Sequence, residues 1–270
     1  MIDILFDSLL DLLKILPFLF ISFILMEMLE HKLKNKNKLL TTKKCGPLIG
    51  TTLGIIPQCG FSAIAANLYA ARIITLGTLI AVFLSTSDEM IPILLANKVN
   101  ISTILKILLI KFLIGLLFGL IIDIVYRKKE KNDISNICES EHCHCQESIL
   151  KSSIIHTLKI STFILIINII LGCLINEEIL ASSLTNNQII SPIIASLIGL
   201  IPNCASSIII TELYIENLLD LGSCIAGLLS GSGLGILILF KQNKNLFENV
   251  FITSILILIA SLCGIIINLI

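Results

Sequence analysis

The chain contains two copies of one sequence unit, and this duplication limits the folds that it can adopt. Sliding the sequence by 145 residues aligns 11–125 with 156–270 without a gap, and about a third of the 115 aligned pairs are identical. The stretch GIIPQCGFSAIAANLY at 54–69 meets GLIPNCASSIIITELY at 199–214. Proline, cysteine, tyrosine and glycine match in register, which chance similarity between two apolar sequences does not explain. Self-similarity at a fixed offset indicates a fold built from repeated units.

The apolar content of both halves predicts an all-α polytopic membrane protein. Hydrophobic residues make up 56% of the chain and charged residues 14%, whereas soluble domains carry about a quarter charged residues. The first apolar run is too long for a signal peptide and lacks a basic segment before it, so we expect it to stay in the chain. Net charge of zero gives no electrostatic surface for nucleic acid, and we expect none as a partner. Four runs reach the roughly 20 residues that a helix needs to cross a bilayer: Ile4–Met26, Ile104–Val125, Ile154–Ile175 and Phe247–Ile270.

Lysines predict that the two halves are inserted in opposite orientations. The loop at 31–44 carries six lysines, whereas its counterpart at 176–188 has none and contains two glutamates. Short loops rich in Lys and Arg lie on the cytoplasmic side, so we expect the first loop inside and the second outside. That requires an odd number of crossings per half and gives inverted-topology repeats, whereas an even number would give parallel ones. We expect transmembrane repeats at 1–126 and 153–270, a cytoplasmic linker at 127–152, and both termini outside the cytoplasmic membrane.

A proline interrupts the matching apolar segment of each half. Pro57 cannot continue a helix, because it lacks an N–H and its ring clashes with the preceding turn. The arms on either side are too short to span about 30 Å, so we expect broken or re-entrant helix pairs at 47–56 and 61–71, and at 192–201 and 206–216. Broken backbone at membrane depth is tolerated where it is buried in protein or lines a cavity. Inverted repeats with such helices are typical of secondary transporters; the other interpretation is a packing kink.

Two adjacent carboxylates, Asp88 and Glu89, fall within the apolar stretch 73–96. A charged group at the centre of a bilayer costs about 2.5–3.5 kcal/mol on insertion scales, so an acid there is a functional candidate by default. The counterpart at 230–235, SGSGLG, keeps the serines and lacks the acids, so the charge of a shared site would come from one half. Glu212 is a further candidate acid. The alternative is that the two adjacent acids cap a helix near the interface.

The linker contains a cluster of metal-ligand residues in the segment CESEHCHC. Thiolate and imidazole bind zinc, copper, iron and other soft or borderline ions, but the spacing differs from the two separated pairs of a structural zinc site. We expect a cytoplasmic metal-collecting tail rather than a rigid site, and no disulfide in a reducing compartment. The alternative is a polar linker with no metal role. The candidate ligands are Cys138, His142, Cys143, His144 and Cys145.

The duplicated Pro-x-Cys segments, the Ser-x-Ser-Asp-Glu segment at 85–89 and the Cys/His-rich linker together resemble the arsenic-permease-like family of ten-span heavy-metal exporters. Some members of that family are labelled manganese transporters. The likeness covers the whole chain and implies a permease that exports a metal or metalloid, with five crossings per half. It also implies that function is carried by Cys59, Cys204, Asp88 and Glu89. The second half departs from the acidic pair.

These features together predict a secondary transporter in which the two Pro-x-Cys segments meet near the midplane of the membrane. Asp88, Glu89 and Glu212 would supply counter-charge or carry a coupling proton. Hard ions prefer oxygen ligands and soft ions prefer sulfur, so the dominant ligands would decide between Mn²⁺ and a soft metal or arsenical. The ion would contact Gln58, Cys59, Ser62, Asn203, Cys204 and Ser207.

The energy source and the partners follow from the same sequence. No G-x-x-x-x-G-K-[ST] motif for nucleotide binding occurs, so we expect an ion gradient or a partner protein to drive transport. The expected partners are the lipid bilayer and the metal or metalloid ion as substrate, and the chain is also a candidate for a homo-oligomer. We expect no bound cofactor.

Two other classes of function stay open. An intramembrane enzyme would use Cys59 as a nucleophile or the acids as metal ligands, but no histidine lies in the apolar core and no H-E-x-x-H motif occurs. We therefore expect no enzyme. A non-transporting membrane subunit would instead hand metals to a partner through the Cys/His linker. Such a subunit would depend on 137–148, whereas a permease would use this segment only to raise its affinity.

Overall fold

The computed structural model describes residues 45–56, 60–86, 90–126, 187–202 and 204–270, together with isolated positions between 13 and 24 and between 154 and 166. Over these residues the chain is helical with short connecting turns and has no strand, which confirms the all-α prediction for this part of the chain. The first half contributes α1 (Gly46–Gly54), α2 (Gly60–Ala70), α3 (Leu76–Ser85), α4 (Met90–Ala96) and α5 (Ile101–Tyr126). The second half contributes α6 (Ile190–Gly199), α7 (Cys204–Ile215), α8 (Leu221–Ser230), α9 (Gly235–Gln242) and α10 (Leu246–Leu269).

Four stretches among the described residues are long and apolar enough to cross a bilayer, by length and composition. Two of them are the single helices α5 and α10. The other two are Leu76–Ala96 and Leu221–Gln242, each made of two helices in sequence, α3 with α4 and α8 with α9. The prediction of a polytopic membrane protein is confirmed. Most of the apolar runs predicted at 4–26 and 154–175 lies outside the described residues, as does the linker.

Each half also has two shorter helices on either side of its Pro-x-Cys segment. α1 ends at Gly54 and α6 ends at Gly199, in both cases three residues before the proline. In the second half the Ser206 hydroxyl donates to the carbonyl of Ile201 at 3.1 Å, so the first turn of α7 is bonded to the chain that leaves α6. Whether each helix pair crosses the membrane or re-enters it stays a prediction.

The helices of both halves pack through the same close contacts. A Cβ on Gly77 of α3 would come 2.2 Å from the carbonyl oxygen of Gly119 on α5. At the positions 145 residues later, a Cβ on Gly222 of α8 would come 2.3 Å from the carbonyl oxygen of Gly264 on α10. Small residues at helix crossings let the backbones approach closely, and such packing drives helix association in lipid. The arrangement of α1, α3 and α5 therefore recurs in α6, α8 and α10.

A polar side chain near the end of α5 and of α10 bonds to each of these crossings. Asp123 accepts hydrogen bonds from the Gly77 N–H at 3.0 Å and from the Thr75 hydroxyl at 2.9 Å. Asn268, the counterpart of Asp123, accepts from the Gly222 N–H at 2.9 Å. The first amides of a helix have no partner within the helix, so these side chains satisfy the starts of α3 and α8. The two halves therefore share this hydrogen bond to the start of a helix as well as the repeated sequence.

The two halves interlock through their second and fourth helices. α2 packs on α9, and its counterpart α7 packs on α4. At the first of these contacts, a Cβ on Gly235 would come 2.9 Å from the Cβ of Ser62. α3 and α8 are buried at the centre, whereas α5 and α10 expose apolar side chains along much of their length. The outer helices α5 and α10 therefore suit contact with lipid, and the broken spans form the interior.

We expect Gly119→Val and Gly264→Val to destabilise the protein to a similar extent, by about 1–3 kcal/mol, because overpacking forces packed backbones apart. A Cβ at these positions would come 2.7 Å from Ala81 Cβ and 2.6 Å from Ala226 Cβ, respectively. The measurement is the temperature at which the detergent-solubilised protein leaves the monodisperse peak in size-exclusion chromatography. Leu117→Val, on the exposed side of α5, is the control, and an equal loss there would contradict the packing described.

Candidate functional site

The structure describes three of the predicted substrate-binding side chains. Ser62 is fully buried on α2, Ser207 is half-buried on α7, and Glu212 is exposed on α7. Cys204 is the first residue of α7. Among the described residues there is no group of three or more His, Cys, Asp or Glu side chains that could hold a metal ion. The other predicted ligands lie outside the described residues: Gln58, Cys59, Asp88, Glu89, Asn203, Cys138, His142, Cys143, His144 and Cys145.

Buried hydroxyl groups lie where the two broken spans change from one helix to the next. Ser85 and Thr86 at the end of α3, and Ser230 and Ser232 at the end of α8, are all at most 2% exposed. Three of these four hydroxyls donate to a carbonyl of the preceding turn, as serine and threonine do in apolar helices. The interior of the protein therefore contains polar groups at the breaks of its central spans.

Ser232 is the member of this group without a partner. Its Oγ makes no hydrogen bond to any described residue, although only 1% of the residue is exposed. A buried hydroxyl without a partner costs about 1–3 kcal/mol, which apolar packing alone does not explain. Ser232 lies in the turn between α8 and α9, where Gly233 takes a left-handed conformation (φ 53°) that glycine adopts without strain. This turn therefore contains a buried hydroxyl that no described residue satisfies.

A fully buried lysine connects the two breaks. Lys111 lies within α5 and is fully buried. Its ammonium group donates a hydrogen bond to the carbonyl of Thr86, just after α3. It donates a second, of 2.8 Å, to the carbonyl of Leu228 in the last turn of α8. The last carbonyls of a helix have no partner within it and form the negative end of its dipole. A cation is therefore stabilised at this position, and Lys111 supplies one to the ends of both broken spans.

Lys111 was not among the predicted site residues, although the sequence contains its signal. It is a lysine inside the apolar run 104–125, and an ionisable group within a span is a functional candidate by default. The rule that selected Asp88 and Glu89 applies to it equally. Two of its partners are backbone carbonyls, which no side-chain pattern marks. The counterpart of Lys111 in the second half is Leu256, also fully buried, so this charge belongs to one half alone.

A second charged cluster joins the halves at one end of the helices. Arg72, which follows α2, donates to both carboxylate oxygens of Glu248 in the first turn of α10, at 2.5 and 2.7 Å. The Tyr69 hydroxyl donates to the same carboxylate, and its ring centroid lies 5.3 Å from the guanidinium carbon. Bidentate charge-assisted pairs are the stronger kind of hydrogen bond, and these bonds hold the pKa of Arg72 above its ordinary value. Their counterparts in the other half carry no such charges: Tyr214, Asn217 and Thr103.

The whole chain matches one family model, over residues 1–179 and 158–270. The family is described as "Putative, 10TM heavy-metal exporter". The two matched ranges overlap and together cover every residue, so the resemblance stated from the sequence is confirmed. No curated protein and no solved structure matches the chain.

We expect Ser232→Ala to leave the free energy of unfolding unchanged or to raise it, because it removes a buried hydroxyl that has no hydrogen bond. Ser230→Ala is the matched control, since the Ser230 hydroxyl donates to the Gly227 carbonyl at 3.0 Å. Loss of that bond should lower stability by about 0.5–1.5 kcal/mol. The measurement is the apparent melting temperature of both variants in one detergent. A lower melting temperature for Ser232→Ala than for Ser230→Ala would contradict the assignment of Ser232 as an unsatisfied group.

Proposed function

We propose, for a chain that belongs to the ten-span heavy-metal exporter family, that it moves a metal or metalloid ion out of the cell at a site between its two halves. The observation that carries this proposal is the meeting of two broken spans at one buried charge. α3–α4 and α8–α9 are both interrupted inside the protein, and Lys111 binds the ends of α3 and α8. Secondary transporters bind substrate and coupling ions at breaks of this kind, where helix ends offer backbone groups.

The ion pair between Arg72 and Glu248 supports inverted halves. The turn at 216–220 is the counterpart of the turn at 71–75, and the candidate span Leu221–Gln242 separates it from Glu248. In parallel halves the two turns would lie on one side, and Glu248, one crossing later, would lie about 30 Å away on the other. In inverted halves Arg72 and Glu248 come to the same side. The bonds of 2.5 and 2.7 Å between them favour the inverted arrangement.

Lysines support a cytoplasmic position for the side that holds this ion pair. Lys241 and Lys244 lie just before α10, and the linker begins with the basic segment RKKEK at 127–131. Tyr126, the last residue of α5, contacts Phe251 near the start of α10, with ring centroids 5.6 Å apart. The start of the linker therefore lies on the same side as the start of α10. Because Lys and Arg mark the cytoplasmic side, we assign the linker to the cytoplasm and both termini to the outside.

The ligands of the transported ion come from the two Pro-x-Cys segments in this proposal. Ser62 supports it, because this buried hydroxyl lies on α2 where that helix meets the start of α9 from the other half. Asp88, Glu89 and Glu212 supply counter-charge or carry a coupling proton, and the Cys/His linker collects the ion on the cytoplasmic side. The proposed ion ligands are Gln58, Cys59, Ser62, Asn203, Cys204 and Ser207.

Cysteine labelling tests the orientation. In a cysteine-free background, we expect Lys98→Cys to react with a membrane-impermeant maleimide in intact cells, and Lys244→Cys to react only after permeabilisation. Both native side chains are exposed, and they lie at nearly equivalent positions of the two repeats, so parallel halves would put them on one side. Equal labelling of the two variants in intact cells would overturn the inverted arrangement.

Element content of cells tests the transported ion. Cells expressing the wild type, Cys59→Ser/Cys204→Ser or Asp88→Asn/Glu89→Gln are challenged with manganese, zinc, cadmium and arsenite, and each element is measured by mass spectrometry. We expect the wild type to lower the content of one element and each double variant to restore it. The more damaging pair shows whether sulfur or oxygen ligands select the ion.

The matched control for this measurement is Cys263→Ser, which removes a buried thiol from α10 and should leave export intact. A raised content of one element in wild-type cells would make the protein an importer. Unchanged content of every element would overturn the metal proposal.

A further inference from the structure

We infer that the ends of α3 and α8 form a cation-binding point, that the Lys111 ammonium group is its tethered occupant, and that Lys111 fills this point on the return step of transport, when no metal ion is bound. The inference rests on the proposed function, because a return step exists only in a carrier. It assigns a site and a role to a residue that the proposed ion ligands do not include.

The binding point is built from backbone carbonyls. Thr86 follows α3 with an extended ψ of 130°, so its carbonyl leaves the hydrogen-bonded ladder of the helix. In α8, the carbonyl of Gly227 accepts from the Gly231 N–H and that of Ser230 accepts from the Ser232 N–H, and the carbonyl of Leu228, between them, accepts from Lys111. Carbonyl oxygens are ligands for hard cations, and the C-terminal ends of broken helices hold coupling ions in transporters.

Two helix dipoles add to the attraction of these carbonyls for a positive charge. α3 and α8 both have their negative ends at the same ammonium group, because Thr86 and Leu228 lie at their C-terminal ends. This field acts on any cation that reaches the point, whether it is an ammonium group or a metal ion. The affinity is therefore for positive charge and is not specific for a lysine.

A metal ion and the Lys111 ammonium group cannot share this position. Lys111 is fully buried, and two positive charges in a low-dielectric interior repel strongly. Arrival of the metal ion displaces the ammonium group from the two carbonyls, and departure of the ion lets it return on its flexible four-carbon side chain.

The consequence for transport is a carrier that can return without cargo. A buried carbonyl pair without a partner would disfavour the empty state, so a carrier that lacked Lys111 would reorient mainly with an ion bound and would exchange one ion for another. With Lys111 in place the empty carrier is satisfied and reorients, and the result is net efflux. Lys111 therefore allows net export, whereas a carrier without it would be limited mainly to ion-for-ion exchange.

A second observation points to a ligand at the same break. Ser232 lies four residues after Leu228, in the turn that follows α8, and its buried hydroxyl has no hydrogen-bond partner among the described residues. An ion bound within reach of this turn would give that hydroxyl the partner it lacks. Leu256, the counterpart of Lys111, carries no charge, so a single tethered cation serves both helix ends.

Flux measurements in proteoliposomes test this inference with ⁵⁴Mn²⁺ and ¹⁰⁹Cd²⁺ as probes. Purified full-length wild type, Lys111→Met, Lys111→Gln and Lys111→Arg are compared for net efflux into ion-free buffer and for exchange against the same unlabelled ion. We expect the ratio of net efflux to exchange to fall at least tenfold in Lys111→Met and Lys111→Gln. Lys111→Arg keeps the charge and should retain more of the wild-type ratio, although its planar guanidinium fits a point-charge site less well.

The outcomes separate the inference from the proposed function. If the wild type moves a probe ion and the ratio is unchanged in folded Lys111→Met and Lys111→Gln, the role of Lys111 is overturned and the proposed function stands. If net efflux and exchange fall together in both neutral variants, Lys111 is needed for both modes and the return-step role is also overturned. Wild-type vesicles that move neither probe while arsenite export persists in cells would remove the cation as cargo, and the inference with it.

A binding measurement needs no transport. Removing the tethered cation frees the two carbonyls, so Mn²⁺ or Cd²⁺ should raise the melting temperature of Lys111→Met by several degrees more than that of the wild type. Cys263→Ser, which changes a buried side chain of α10 and leaves Lys111 intact, is the control and should respond as the wild type does. A melting temperature of Lys111→Met that neither ion raises would show that no cation-binding point exists at the ends of α3 and α8.

Discussion

A helix that stops inside a membrane leaves amide and carbonyl groups that lipid cannot bond. This constraint accounts for much of the polar chemistry in the interior of the protein. Asp123 and Asn268 bond to the first amides of α3 and α8, while Lys111 bonds to carbonyls at the opposite ends of the same two helices. The central spans can be broken because both ends of their first arms are satisfied by side chains from other helices.

The fold follows from sequence wherever the signal is local. The apolar runs predict α5 and α10, and the prolines at 57 and 202 mark the ends of the helices that precede them. The repeat at an offset of 145 residues also extends to helix contacts, because the aligned residues Gly77 and Gly222 each lie at a close helix crossing of their own half. These features depend on apolar composition, on single residues that end helices, or on pairs of residues aligned by the repeat. All three can be recognised in a single amino-acid sequence without homologues.

The candidate site is less predictable because its contacts are distant or involve backbone. Arg72 and Glu248 are 176 residues apart and have uncharged counterparts, so neither the repeat nor the spacing pairs them. Two partners of Lys111 are carbonyl groups, which every residue has. Burial also differs between residues that the sequence analysis assigned to the same site, since Ser62 is fully buried and Glu212 is exposed. Sequence selects the type of residue that acts, and the packing of helices decides which of those residues meet.

The difference between Lys111 and Leu256 has a consequence for symmetry. A lysine at 256 would find, at positions equivalent to Thr86 and Leu228, the carbonyls of Gly231 and Phe83, which belong to the same two helix ends. Two ammonium groups would then compete for one small volume. A dimer of identical subunits has no means of avoiding this, because its two-fold axis copies every charge. Joining the halves in one polypeptide allows a charge in one half that has no equivalent in the other, and this arrangement requires two halves with different sequences.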